Sequence, residues 1–308
     1  MANKITNGDI KLLSSIAEYK FLTVKQLAAI TQRSMQVIRR RIRTLRDERL
    51  ISLKERDFGG RSGRLEYISF LTEKGLKLIR EKEILSAHAK YITDKTAESI
   101  FIDHDLLVNW FFIHLLQIER ENQCLFTKNL TISSHNLNQG NAENPLIMER
   151  FSSDEASENN HFMIPDGVFI ITDKQSGKTL LFFIEVDMGT ETLVNSKGEP
   201  TDVRQKIINY QALFRTGQYK RYEKIFKVKH NGFRLLFLSN TPARLKALCK
   251  FVREMPPTDF VWLADQEQMF TNGLSAEIWV RGGKDNDKLQ SILGHKLTSK
   301  ITVTDKIR

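Results

Sequence analysis

Along the first hundred residues apolar positions recur at the three- and four-residue spacing of short helices. Ile10, Leu13, Ile16 and Ala17 share a face, which predicts a helix from about Asp9 to Tyr19 that Asn7 can cap. Thr23 caps a second helix through Ile30, Thr31-Gln32-Arg33 breaks the pattern, and Ser34 caps a third helix reaching about Glu48. In this third helix Met35, Ile38, Ile42 and Leu45 make the apolar stripe, and Arg39, Arg40, Arg43 and Arg46 occupy the opposite surface. The periodicity then changes to that of strands over about 50–54 and 65–71, around the turn Asp57-Phe58-Gly59-Gly60-Arg61-Ser62-Gly63. Thr72 caps one more helix, from Glu73 to about Glu83.

Three helices with a short turn between the second and third, followed by a Gly-rich hairpin, make the layout of a winged helix-turn-helix. Residues 6–84 resemble the MarR-like winged-helix domains. Arginine suits the exposed face of the third helix because its fork binds phosphate or a guanine edge bidentately. Arg56, Arg61 and Arg64 would bring the hairpin to a phosphate backbone or a minor groove. The plainer reading of the same arginines is a solvated helix face.

Residues 85–100 are mixed and polar and read as a linker or an extended helix. A second unit opens with a Leu-, Trp- and Phe-rich helix from about Asp103 to Glu121, followed by a strand over about 125–133. Residues 134–160 form a long polar loop, and a strand follows from Phe162 to Thr172 with Pro165-Asp166-Gly167 inside it. Leu180 to Asp187 is a strongly apolar strand of a sheet interior. A helix over about 202–215, a strand over 233–239, a helix over about 241–254 and a short strand over 260–263 complete the pattern. Residues 264–308 carry no assignable element and end in a basic, polar tail.

The fold class expected is therefore α+β, with a winged helix-turn-helix domain (1–84), a linker (85–100), an α/β domain (101–265) and a partly flexible extension (266–308). Charge sharpens this division. Residues 1–98 hold 21 Lys and Arg against 12 Asp and Glu, whereas the other 210 residues hold 26 against 25. A basic domain joined to a near-neutral one points to a polyanion partner for the first. Two cysteines without CxxC spacing argue against a disulfide framework or cysteine-held zinc and suit a reducing cytoplasm. No apolar run is long enough to span a membrane, no HExxH places zinc, and no P-loop lysine follows the glycine clusters.

Three acids in the second unit carry candidate chemistry. Asp166 follows Pro165, and Glu185 and Asp187 close the apolar strand two residues apart, hence on one face. Converging carboxylates are costly to bury unless a cation neutralises them. Mg²⁺ or Mn²⁺ would do so and could activate a nucleophile toward a phosphodiester. Each acid also has a plain reading, Asp166 as a turn residue and Glu185 with Asp187 as a solvated strand end. His104 caps its helix in preference to touching the site.

Pro165-Asp166 followed by Glu185-Val186-Asp187, in an αβββαβ order over about 103–240, resembles the PD-(D/E)XK nuclease superfamily. That resemblance implies a lysine where Asp187 stands. Lys206 on the following helix is the substitute it suggests, with Tyr210 one turn on. Alone, Lys206 reads as a surface lysine and Tyr210 as a core aromatic. Over the whole chain, the Glu185-to-Glu191 stretch with Lys206 and Tyr210 resembles the replication-relaxation family of plasmid and mobile-element proteins and the restriction-endonuclease-like (MobC-type) relaxases. The likeness implies duplex-DNA recognition with metal-dependent nicking, Asp166, Glu185, Asp187, Lys206 and Tyr210 serving catalysis and the three acids holding metal. Tyr210 is the first candidate for a tyrosine nucleophile, ahead of Tyr219 and Tyr222. Other transfer or replication proteins, and a second copy of the chain, are the implied protein partners. The competing function is a non-catalytic replication or transcription regulator with a degenerate nuclease-like domain. A small-ligand sensor has no pocket signature behind it.

Overall fold

The computed structural model describes residues 5–56, 66–82, 93, 102–131, 148–149, 162–194, 202–284 and 288–294. The chain forms two compact units. The first takes in the described residues up to Ile113, and the second His114–Thr131 with the described residues from Met148 onward.

The first unit opens with α1 (Asn7–Glu18), whose cap is Thr6 rather than Asn7. Thr6 and Asp9 satisfy each other's backbone N–H groups as a capping box, so the helix starts two residues before the expected Asp9. A short strand β1 (Phe21–Thr23) follows, too brief for the alternation that marks strands in sequence. Thr23 caps α2 (Val24–Thr31), a left-handed Gln32 ends it, and Ser34 caps α3 (Met35–Asp47). Strands β2 (Ile51–Arg56) and β3 (Glu66–Leu71) pair antiparallel, and β1 adds to β3, giving the order β1-β3-β2. The joining segment 57–65, with Arg61 and Arg64, lies outside the described residues. Thr72 caps α4 (Glu73–Glu81).

The long helix α5 (Ile102–Glu121) belongs to both units, so the division falls within it and not in the stretch 85–100. Its first half is tied to the first unit by specific groups. Asn109 donates to the carbonyls of Tyr19 and Phe21 at 3.2 and 2.9 Å, and the Gln26 side chain donates to the Leu106 carbonyl at 2.9 Å. Leu106 also packs with Phe21, Ile68 and Phe70.

The second unit is built on a six-stranded sheet ordered β11-β10-β9-β8-β7-β4. β4 (Leu125–Thr131), β7 (Gly167–Asp173) and β8 (Thr179–Asp187) form an antiparallel meander. A separate two-strand pair joins β5 (Met148–Glu149) antiparallel to β6 (Phe162–Met163). The single strand expected over 162–172 is thus broken around Pro165, which lacks the N–H a ladder needs. From β8 the chain crosses through α6 (Val203–Thr216), a 3₁₀ turn (Gln218–Lys220) and α7 (Arg221–Phe226) to the parallel neighbour β9 (Phe233–Ser239). It crosses again through α8 (Pro242–Arg253) to β10 (Val261–Asp265).

Past residue 265 the chain does not leave the domain as an extension. α9 (Gln266–Asn272) follows, β11 (Val280–Arg281) adds to the sheet edge, and Trp279 and Ile292 are fully buried. The tail 296–308 lies outside the described residues. Among the described residues no helix is long and apolar enough to cross a membrane.

Candidate nucleic-acid interface and carboxylate site

Helix α3 has two faces, as its spacing predicts. Ile38, Ile42 and Leu45 are buried and Met35 half-buried, whereas Arg39, Arg40, Arg43 and Arg46 are exposed. Arg39, Arg40 and Arg43 form no ion pair with a described residue, and Arg46 meets only the neighbouring Asp47, at 3.0 Å. A pair so exposed holds its charge weakly. Arg41, one position off this face, has a different task. It is clamped on the buried carboxylate of Asp9, with Nε donating at 2.6 Å and Nη2 donating to the other oxygen. Burial works to raise the Asp9 pKa, and the Arg41 and Thr6 hydrogen bonds outweigh it to hold the group below its ordinary value. This ion pair braces α3 against α1 and was not visible in the spacing. Arg56 is also committed internally, donating to Asp103 at 2.7 Å and Glu66 at 2.8 Å.

In the second unit, period two along β8 puts Phe183, Glu185 and Asp187 on one face, under α6. Glu185 is only 2% exposed. Its Oε1 accepts from the Tyr210 hydroxyl at 2.6 Å, and Lys206 Nζ stands 3.2 Å from its Oε2. Lys206 and Tyr210 reach the same carboxylate because they lie four residues apart on α6. Asp166, just before β7, accepts the Val186 N–H at 2.7 Å, which locks it beside the end of β8. Burial pushes the Glu185 pKa up to about 7, with Lys206 opposing and Asp166 adding to the rise. Burial works to lower the Lys206 pKa, but the surrounding acids Glu185, Glu191 and Asp166 hold it above the ordinary lysine value. Tyr210, raised by burial and by Glu185, stays a neutral phenol.

Asp187 turns to a different partner. Arg244 at the start of α8 grips it through Nε at 3.1 Å and Nη2 at 2.9 Å, and the Gly189 N–H donates to it at 2.6 Å. Arg244 also donates to the Glu191 carbonyl, and the Glu191 carboxylate accepts Lys206 at 2.8 Å. The structure therefore gathers Asp166, Glu185, Lys206 and Tyr210 and holds Asp187 in an adjoining arginine pair. Sequence reasoning missed Arg244 and Glu191. Glu191 stood inside the quoted stretch, but nothing local signalled Arg244.

Among the described residues no group of three or more His, Cys, Asp or Glu side chains is arranged to hold a metal ion. A hard divalent cation held here would rest on Asp166 and Glu185, since Mg²⁺ commonly takes one or two carboxylates and completes its shell with water and phosphate, and it would compete with the Lys206 ammonium already on Glu185. The repulsion between these two acids is the feature such a cation would relieve. Tyr210, Tyr219 and Tyr222 are all buried. His104, in the first unit, faces Asp105 across 3.4 Å.

Topology and the arginine-faced third helix define the first unit as a winged helix-turn-helix module, here followed by a mixed α/β sheet unit. Residues 13–228 match the replication-relaxation family, and the chain belongs to that family. Among solved structures it is similar to a MarR family transcriptional regulator from Silicibacter pomeroyi DSS, at 26% identity over 38% of this chain and 72% of that one. The TM-score of 0.24 adds nothing to the topology described above. No curated protein matches.

Proposed function

We propose that the chain is a DNA-processing protein in which α3 reads a duplex site and the second unit, a PD-(D/E)XK nuclease-like domain, nicks one strand. The carrying observation is Lys206 Nζ at 3.2 Å from Glu185 Oε2, because α6 delivers the cation that the motif lacks at position 187. Asp166 and Glu185 would hold Mg²⁺ or Mn²⁺, which supplies charge neutralisation at the scissile phosphate and a more acidic bound water. Lys206, whose side chain is 24% exposed and whose ammonium lies between Glu185 and Glu191, would turn to a phosphate oxygen. Tyr210 orients Glu185 by its hydrogen bond, and its raised pKa keeps the phenol protonated. Membership of the replication-relaxation family supports a DNA-related function.

The test is conversion of supercoiled plasmid, carrying the flanking region of the protein's own gene, to open circle with Mg²⁺ or Mn²⁺. Wild type should nick and Glu185→Ala should bind DNA without nicking. Equal cutting by both would overturn the assignment of the site. One observation favours a second reading, a non-catalytic DNA-binding regulator: the Arg244 grip on Asp187 neutralises one of the three acids inside the protein. Binding without nicking by wild type, and no rise in melting temperature with Mn²⁺, would establish it.

A further inference from the structure

We propose that the second unit carries its own binding surface for the phosphate backbone of duplex nucleic acid, formed by Lys224, Lys227 and Lys229 around the end of α7 with Lys128 of β4 beside them. The proposal adds a contact surface to the DNA-processing reading and does not need that reading's cleavage chemistry.

Charge singles out this segment. The unit as a whole is nearly neutral, yet Arg215 to Lys229 holds six Lys and Arg and one acid. That acid, Glu223, is committed elsewhere, since its Oε1 accepts the His230 backbone N–H at 2.9 Å. Lys128, Lys224, Lys227 and Lys229 are all exposed, and none forms an ion pair with a described residue. Lys128 joins the group because its Nζ lies 6.0 Å from the ring of Phe226 at the end of α7. Lys227 sits at the left-handed C-cap with φ 60°, a conformation that glycine adopts more cheaply.

Residue type indicates how the surface binds. Lysine presents a point charge and lacks the planar fork that reads base edges, so the contact is to phosphate and independent of sequence. Proteins that hold single strands add aromatic platforms for the bases. Here Tyr222 and Phe226 of α7 are buried, and Phe214, although 45% exposed, stacks on Tyr219 and Phe260. Phe126, two residues before Lys128 on the same face of β4, is 40% exposed. One such ring among four lysines is not the row of stacking platforms that single strands require, so the surface favours duplex.

The surface also lies at a useful distance from the carboxylates. Lys128 pairs with Ile170, which pairs with Leu181, four residues before Glu185 on the same face of the sheet. Four residues along a strand and two strands across amount to about 16 Å. That is about five base pairs of duplex, so a backbone held by the lysines runs within reach of the Glu185 site.

The test is fluorescence anisotropy of the full-length chain on a random-sequence duplex across a salt series. It compares wild type with Lys224→Gln/Lys227→Gly/Lys229→Gln, each also in an Arg39→Ala/Arg40→Ala/Arg43→Ala background that weakens the winged helix. Removing three phosphate contacts should flatten the slope of log K against log salt by about 3 and weaken low-salt binding at least tenfold. Thermal melting should be unchanged, and the single variant Lys227→Gly should lower the slope by about 1 while preserving the fold. An unchanged slope and affinity would overturn the proposal, as would tighter binding to a single strand of the same length. Glu185→Ala, binding like wild type while failing to nick, separates loss of this surface from failure of the cleavage reading.

Discussion

Removing the Tyr210 hydroxyl leaves Oε1 of the buried Glu185 carboxylate without its 2.6 Å donor. Tyr210→Phe should therefore lower stability by about 1–3 kcal/mol, the cost of a stranded buried acceptor, read as a fall in melting temperature. A change well below that range would mean that Lys206 alone satisfies the carboxylate. His114 gives a pH dependence of its own. Burial depresses its pKa from 6.5 to about 4, so the folded state favours the neutral ring. The stabilisation is present above pH 6.5 and drains away as pH falls from 6.5 toward 4. At most it amounts to about 3 kcal/mol. Melting of wild type and His114→Leu at neutral pH and at about pH 4.5 checks this: the variant should lose less stability on acidification. Parallel losses would assign the acid sensitivity to other groups.

Among the elements, α4 shows how one residue sets a packing distance. A Cβ on Gly75 would stand 2.1 Å from the Leu50 carbonyl oxygen, so the helix lies against that backbone only because position 75 has no side chain. Gly75→Ala must push α4 away, and should destabilise by at least about 2 kcal/mol despite alanine's better helix propensity. A melting temperature equal to wild type would show that the helix can shift freely. No local pattern announces that glycine, and the same limit governs what the sequence discloses elsewhere. The two faces of α3 and the caps Thr23, Ser34 and Thr72 are legible because they act within one turn of helix. Strand parity and the pairing of neighbouring strands bring Asp166 to Glu185, but Lys206 and Tyr210 were placed there only by the likeness to the nuclease and relaxase families, and the same parity grouped Asp187 with them although Arg244 draws it aside. Arg244 reaches Asp187 across 57 residues, and Asn109 reaches Tyr19 and Phe21 across 90 and 88. Those contacts depend on how the elements pack, which periodicity does not encode. The end of the sheet was missed for a related reason: β11 has two residues, too few to show alternation.

At the scale of the whole chain, the two units place different residue chemistry on separate pieces of structure. α3 offers arginines suited to base edges and phosphates, and the sheet unit offers a cluster of acids with a lysine. The two properties should then come apart on mutation. Losing one arginine that contacts a base should cost about 1–3 kcal/mol of discrimination, roughly a 5- to 150-fold loss of preference for the cognate site. Arg39→Ala/Arg43→Ala should therefore bind cognate and random duplexes almost equally while still nicking plasmid at raised protein concentration. Glu185→Ala should keep the full preference and nick nothing. The measurement is a pair of assays on each variant, competition binding with cognate against random duplex and metal-dependent nicking of supercoiled plasmid. If the arginine variant lost nicking at every concentration while still binding, α3 would be required for the chemistry as well as for recognition. The separation of recognition from cleavage would then fail.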